Sequence, residues 1–137
     1  TCDAVGAAQI QGLGGVTYSD STKGGEKAPQ EAALLGFDGE VDRIYYDAPS
    51  ELYIRNVGAD GRALKMLRMG FPDAVTWNIG GAKAGTLKDM GEGEWSKYVC
   101  LEAAIVGKPV SLPPSNSYTA GQTFVAGVTA PPLEKAK

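Results

Sequence analysis

The chain of 137 residues contains no histidine. That absence excludes Ser-His-Asp and Cys-His catalysis built from this chain alone. It also removes the one side chain that titrates near neutral pH without help. Only two cysteines are present, Cys2 and Cys100, in no CxxC spacing. They are expected to be free thiols rather than a framework disulfide, and a zinc cluster has no ligands to draw on. No apolar run approaches the roughly 18 residues of a spanning helix, and no signal-peptide pattern opens the chain. There is no basic run and the formal net charge is −3, so nucleic acid and anionic membrane are poor partners. None of Asn56, Asn78 and Asn116 is followed two positions on by Ser or Thr, so no N-glycosylation acceptor exists. These absences fit an intracellular compartment, cytoplasmic or plastid.

What is abundant is punctuation. Nineteen glycines and eight prolines predict many short elements with tight turns, so β structure rather than a helix bundle. Strands are expected over Ala7–Gln11, extended by Val16–Tyr18, then over Ala32–Phe37, Val41–Tyr46, Glu51–Val57 and Ala63–Met69. Ser19–Gln30 reads as a polar surface loop. Asp38-Gly39 and Asp60-Gly61 are hairpin signals, so the middle of the chain reads as three or four successive antiparallel strands. Further strands are expected over Ala74–Trp77, Tyr98–Val106, Val110–Leu112 and Gln122–Val128, with one or two helical turns in Ala82–Met90. Residues 1–130 form one unit and 131–137 a frayed tail. The chain opens on Thr1 rather than Met, as a processed or truncated product would.

Nucleotide motifs fail. Gly12-Leu-Gly-Gly15 has Thr17 where GxGxxG needs its third glycine, and no GxxxxGK[ST] occurs, so a plain turn is the reading. Two acids on β-elements stand out instead: Asp42 in Gly39-Glu-Val-Asp-Arg-Ile-Tyr-Tyr46, and Glu102 closing Tyr98-Val-Cys-Leu-Glu102. Acidic residues are uncommon inside strands unless something holds them there.

Read in order, Ile10-Gln-Gly-Leu13 with Tyr18-Ser-Asp20, Gly39-Glu-Val-Asp-Arg-Ile-Tyr45, Phe71-Pro-Asp-Ala-Val-Thr-Trp-Asn78, Lys88-Asp-Met-Gly91 and Val99-Cys-Leu-Glu102 resemble one family. It is the glucose-6-phosphate 1-epimerases, hexose-6-phosphate mutarotases of the galactose-mutarotase-like group, over about residues 1–125. The resemblance implies an all-β antiparallel sandwich of which this chain is the C-terminal half. It implies interconversion of the α and β anomers of a sugar phosphate, with no metal and no organic cofactor. Glu102 matches the family's general base and Asp42 its hydroxyl-binding acid. Partial burial on a strand is what a base working near neutrality needs. The family's acid is a His in a His-Thr-aromatic segment. Thr1 matches that Thr, which puts the His just before this chain begins, and the basic residues that bind the sugar's phosphate also lie upstream.

The resemblance is interrupted at several points. Trp77-Asn78 runs into Ile79-Gly80-Gly81 instead of Pro-Trp, Ala103-Ala104 follows Glu102 instead of Pro and a small residue, Leu112-Pro-Pro-Ser115 replaces Leu-x-Pro-Gly, and Cys2 stands where an aromatic is expected. A non-catalytic subunit of a larger assembly and a sugar-binding module are therefore the alternative expectations. Missing sandwich strands, or partner chains in their place, are expected to cover the apolar face of a half-sandwich.

Beside these roles stand plainer ones. Trp77 reads as a core aromatic, Cys100 as a buried small hydrophobe, Asp73 and Asp89 as turn residues, Arg43 and Lys83 as solvated charges. Asp42 has a salt bridge to Arg43 as its rival role.

Overall fold

Two five-stranded antiparallel sheets carry nearly all the regular structure in the computed structural model, which describes residues 4–58 and 60–133. In chain order the strands are β1 (Gln9–Gln11), β2 (Thr17–Asp20), β3 (Glu26–Pro29), β4 (Leu34–Leu35), β5 (Val41–Tyr45), β6 (Glu51–Arg55), β7 (Ala63–Met69), β8 (Asp73–Asn78), β9 (Cys100–Ala104) and β10 (Gly121–Val128). One sheet has the order β10-β7-β6-β1-β4 and the other β3-β2-β5-β8-β9. A single helix, α1 (Gly80–Ala84), and three short 3-10 turns complete the described elements. Among the described residues no helix is long and apolar enough to cross a membrane.

Because side chains alternate across a strand, each sheet turns one set of residues inward. Ile10, Leu52, Ile54 and Met66 come from the first sheet, and Val41, Tyr45, Ala74 and Leu101 from the second. All are buried in one shared hydrophobic cluster, together with Leu13, Leu35 and Phe37. At roughly 1.5–3 kcal/mol for each large side chain, this cluster is what holds sheet against sheet. The β-sandwich expected from the sequence is the architecture.

Several polar residues around the inner face of the second sheet are paired. Arg43 Nε donates to Asp20 Oδ2 at 3.1 Å, Arg43 Nη1 donates to Gln30 Oε1 at 3.2 Å, and the Tyr45 hydroxyl donates to the same Gln30 oxygen at 2.8 Å. The Arg43 guanidinium lies 4.4 Å from the Tyr18 ring centroid. Burial pushes the Asp20 carboxyl up, but hydrogen bonds from Thr22 and Arg43 outweigh it and hold it below the ordinary range.

The connectivity differs from the sequence reading in three places. Asp38-Gly39 does not close a hairpin: β4 pairs with β1 and β5 with β2 and β8, so the chain changes sheets there. The reason is burial, because Leu35 and Phe37 go between the sheets and carry the chain across. The run of three or four consecutive strands is thus split, and only β6 and β7 form the hairpin expected around Asp60-Gly61. Ser19–Gln30 is not a loop but the second half of β2, a tight turn and β3. β3 is an edge strand, exposed except for partly buried Ala28, and charged edge strands carry no burial signal. Val110–Leu112 forms no strand, and the expected strand over Tyr98–Val106 narrows to Cys100–Ala104.

Gly80 marks where the chain turns from β8 into α1. Its φ is +69°, and a Cβ there would stand 2.5 Å from the Glu40 backbone nitrogen. Gly80→Ala is expected to cost about 3 kcal/mol, since backbone on both sides must give. A urea midpoint unchanged from the parent would contradict that packing.

Candidate active site

The register of the second sheet decides which residues share its outer face. Asp42 stands opposite Trp77, and Trp77 opposite Cys100; Ile44 stands opposite Val75, and Val75 opposite Glu102. Directly paired residues in an antiparallel ladder point the same way. Their neighbours Val41, Tyr45, Ala74, Thr76 and Leu101 are buried against the core, so Asp42, Trp77, Glu102 and Cys100 all face outward. The two acids singled out in the sequence therefore lie on one face, separated by β8 and offset by two residues along the strands. Ladder spacings put their Cα atoms ~12 Å apart. Ile44, Val75 and Trp77 make an apolar floor between them.

Asp42 is half-buried and Glu102 is exposed; the partial burial expected of Glu102 is not supplied within residues 4–133. Neither carboxylate takes part in a salt bridge among the described residues. Arg43, the rival partner for Asp42, points to the opposite face and pairs with Asp20. Trp77 is not a core aromatic but half-exposed on this face, its ring centroid 5.6 Å from that of Tyr98. Cys100 is likewise half-buried on the same face rather than in the core, because its position in β9 has the parity of Glu102. Burial, then the negative charge of Glu102, pushes its thiol up. Cys2 lies outside the described residues.

Supports for this face come from residues the sequence reading placed elsewhere or passed over. Asn78 is fully buried. Its Nδ2 donates to the carbonyls of Trp95 and Tyr98 at 2.9 Å, and its Oδ1 accepts from the Gly80 amide at 2.9 Å. It thereby fixes the segment that enters β9. Asp73 is buried rather than a turn residue with local bonds. Its Oδ2 accepts from the amides of Val106 and Gly107 at 2.7 Å and its Oδ1 from the Asp47 amide at 3.2 Å. It therefore pins the end of the strand that carries Glu102. Burial would raise the Asp73 carboxyl; the amides of Gly107, Val106 and Asp47 and the Arg68 charge outweigh it and lower it. Asp89 lies in an exposed turn, and Lys83 pairs with Glu40 at 2.7 Å on the surface. Among the described residues no three His, Cys, Asp or Glu side chains gather as a metal site would require.

The two antiparallel sheets carry two carboxylates over an apolar floor on one outer face, and comparison with known proteins gives the family. Residues 6–125 match the aldose 1-epimerase family model, and the chain belongs to that family. It is 32% identical over 110 residues to a "Putative glucose-6-phosphate 1-epimerase" of Cenchrus ciliaris, covering 80% of this chain and 33% of that protein. The fold matches the crystal structure of "a putative mutarotase (YeaD) from Salmonella typhimurium" with a TM-score of 0.83 at 18% identity, over 93% of this chain and 42% of that one. The chain thus spans about a third of the length of the curated relative and under half of the structural one.

Proposed function

We propose that the intact protein equilibrates the α and β anomers of glucose 6-phosphate or a closely related aldose phosphate. The observation that carries this reading is the placement of Asp42 and Glu102 on one outer face, two strands apart across the floor of Val75 and Trp77. A pyranose ring spans such a gap, with its apolar face on the floor and its hydroxyls toward the acids. Glu102 takes the proton of the anomeric hydroxyl. An acid gives a proton to the ring oxygen as the C1–O5 bond breaks, leaving an open-chain aldehyde. Rotation about C1–C2 followed by reclosure, with the proton transfers reversed, inverts C1. The acid is not a histidine of this chain, since it has none, and in this reading it comes from a residue outside positions 1–137. Asp42 accepts hydrogen bonds from ring hydroxyls.

Anomer exchange measured by NMR on the full gene product with glucose 6-phosphate tests the reading, because saturation transfer between the two C1 protons reports turnover directly. Asp42→Asn is expected to raise KM about tenfold with a smaller change in kcat, as loss of a charged hydroxyl acceptor should. An unchanged KM would remove Asp42 from the site.

The altered Trp77–Gly81 and Ala103-Ala104 surroundings of the two acids support a second reading, a non-catalytic subunit of a larger assembly. Phe124 stands opposite fully buried Met66 on the inward face of its sheet, yet is 48% exposed. Met69, Val110, Leu112 and Tyr118 are exposed as well. In either reading the exposed inward side chain of Phe124 on β10 is covered by the rest of the sandwich or by a partner chain. The subunit reading predicts no exchange from the full gene product, where the enzyme reading predicts exchange abolished only by changes at the site.

A further inference from the structure

We infer that β10 is an interior strand in the intact protein: a strand from the part of the polypeptide outside residues 1–137 pairs with it and carries the sandwich onward on that side. The inference goes beyond the reaction proposed above and does not rest on it. The outermost strands are β10 and β4 in the first sheet and β3 and β9 in the second. A free edge offers unpaired N–H and C=O groups to any other strand, and soluble proteins blunt it with charge, proline, brevity or a bulge. β4 is two residues long. β3 reads Glu26-Lys-Ala-Pro29, with two charges and a proline. β9 is five residues long and carries Glu102. β10 is eight residues long, Gly121-Gln-Thr-Phe-Val-Ala-Gly-Val128, with no charge and no proline.

One bulge interrupts it. The register with β7 is regular over residues 121–125 and shifts between Val125 and Val128, so the bulge blunts only the far end. The regular stretch is open on both faces. Phe124 faces inward and is 48% exposed, and Val125 faces outward and is 38% exposed. Among the described residues β10 has β7 on one side and no strand on the other. An uncharged segment of β-formers left in that state pairs readily with other chains.

Topology puts the opening on one side of the sandwich. β5 and β6 lie in opposite sheets and are joined by residues 46–50; β7 and β8 lie in opposite sheets and are joined by residues 70–72. Connections this short stack each pair across the core, and Arg68 of β7 reaches the Asp73 carbonyl of β8. One step further in the same direction, β10 ends the first sheet and β9 the second. The blunted strands β4 and β3 end the two sheets on the far side. Both layers are therefore open together at β9 and β10. A body that covers this side must itself have two layers, as a continued sandwich has and a single docked peptide has not. The Salmonella mutarotase gives the scale, since the present fold accounts for 42% of that chain. Because β9 carries Glu102, strands added on this side border the proposed base and supply the burial that residues 4–133 do not.

Amide hydrogen exchange, read residue by residue on the purified full gene product, tests the assignment. Along an antiparallel edge strand the amides alternate between bonded and free, whereas an interior strand bonds both sets. Every amide over residues 122–125 is expected to exchange at least about 100-fold more slowly than an unprotected chain, while β3 keeps the alternation of an edge. Alternating protection in β10, or uniform protection in β3 instead, would overturn the inference. Sedimentation at the same concentrations identifies the occupant. A monomer with uniformly protected β10 places the pairing strand in the same polypeptide. Protection that appears only as the protein self-associates would give the edge to a second copy and overturn the assignment. Neither readout involves anomer exchange, so the reaction can fail in the Glu102→Gln assay while β10 stands, and the reverse.

Discussion

Glu102→Gln in the full gene product is expected to slow exchange between the anomers of glucose 6-phosphate by about 10²–10⁴-fold, the range a positioned general base supplies. The amide keeps the size of the side chain and an oxygen acceptor but cannot hold a proton taken from the anomeric hydroxyl. The loss should therefore fall on kcat, with KM changed little. Glu102 is exposed and without a salt bridge among the described residues, so stability should move by no more than about 0.5 kcal/mol. That separation makes the result readable: a soluble, folded variant with undiminished exchange would end the role assigned to Glu102. Rescue of exchange by Asp at the same position would be partial, since the shorter arm draws the base back from the sugar.

The largest stability effect is expected at Asp73. Asp73→Ala leaves the amides of Asp47, Val106 and Gly107 without their acceptor and deprives Arg68 of a nearby negative charge. Arg68 is itself buried, its guanidinium donating to the carbonyls of Ala48, Pro49, Phe71 and Asp73, so the two residues tie three turns at one end of the sandwich. Opening that cluster should cost about 3–5 kcal/mol, read from urea unfolding. A cost under about 1 kcal/mol would mean that water replaces the carboxylate freely.

The same residue sets an acid limit. The folded carboxyls of Asp73 and Asp20 both lie below their ordinary range. Their contribution is therefore present above the unfolded value of about 3.9 and is lost as pH falls through the lower folded values. The parent should lose stability steeply below about pH 4, and Asp73→Ala, already lacking that contribution, should show a shallower acid slope.

Legibility in the sequence followed range along the chain. β7 was readable to the residue because its alternation is local, and the Asp60-Gly61 hairpin because its turn chemistry is local. Asp42 and Glu102 were conspicuous for the same reason, as acids inside β patterns. Asp38-Gly39 carries an equally good hairpin signal, yet the chain crosses between sheets there, since the destination of Leu35 and Phe37 is a matter of what lies opposite them. β3 went unread because an exposed edge strand has no buried face to pattern.

Residue type misled at three positions. Trp77 and Cys100 look like core, and Asp73 looks like a turn residue. Strand parity puts the first two on the face of the acids, and the fold back of residues 105–108 buries the third.

The sequence by itself determined an all-β chain, its two acidic candidates and the absence of a histidine to serve as their acid. Those follow from composition and from period-two patterning, which act over a few residues. The tertiary structure alone decided that Asp42 and Glu102 share a face and that Trp77 joins them. Such facts depend on the register of β5, β8 and β9, drawn from residues 41–104. Register is settled by which side chains the two sheets bury against each other, a long-range quantity that no window of sequence contains.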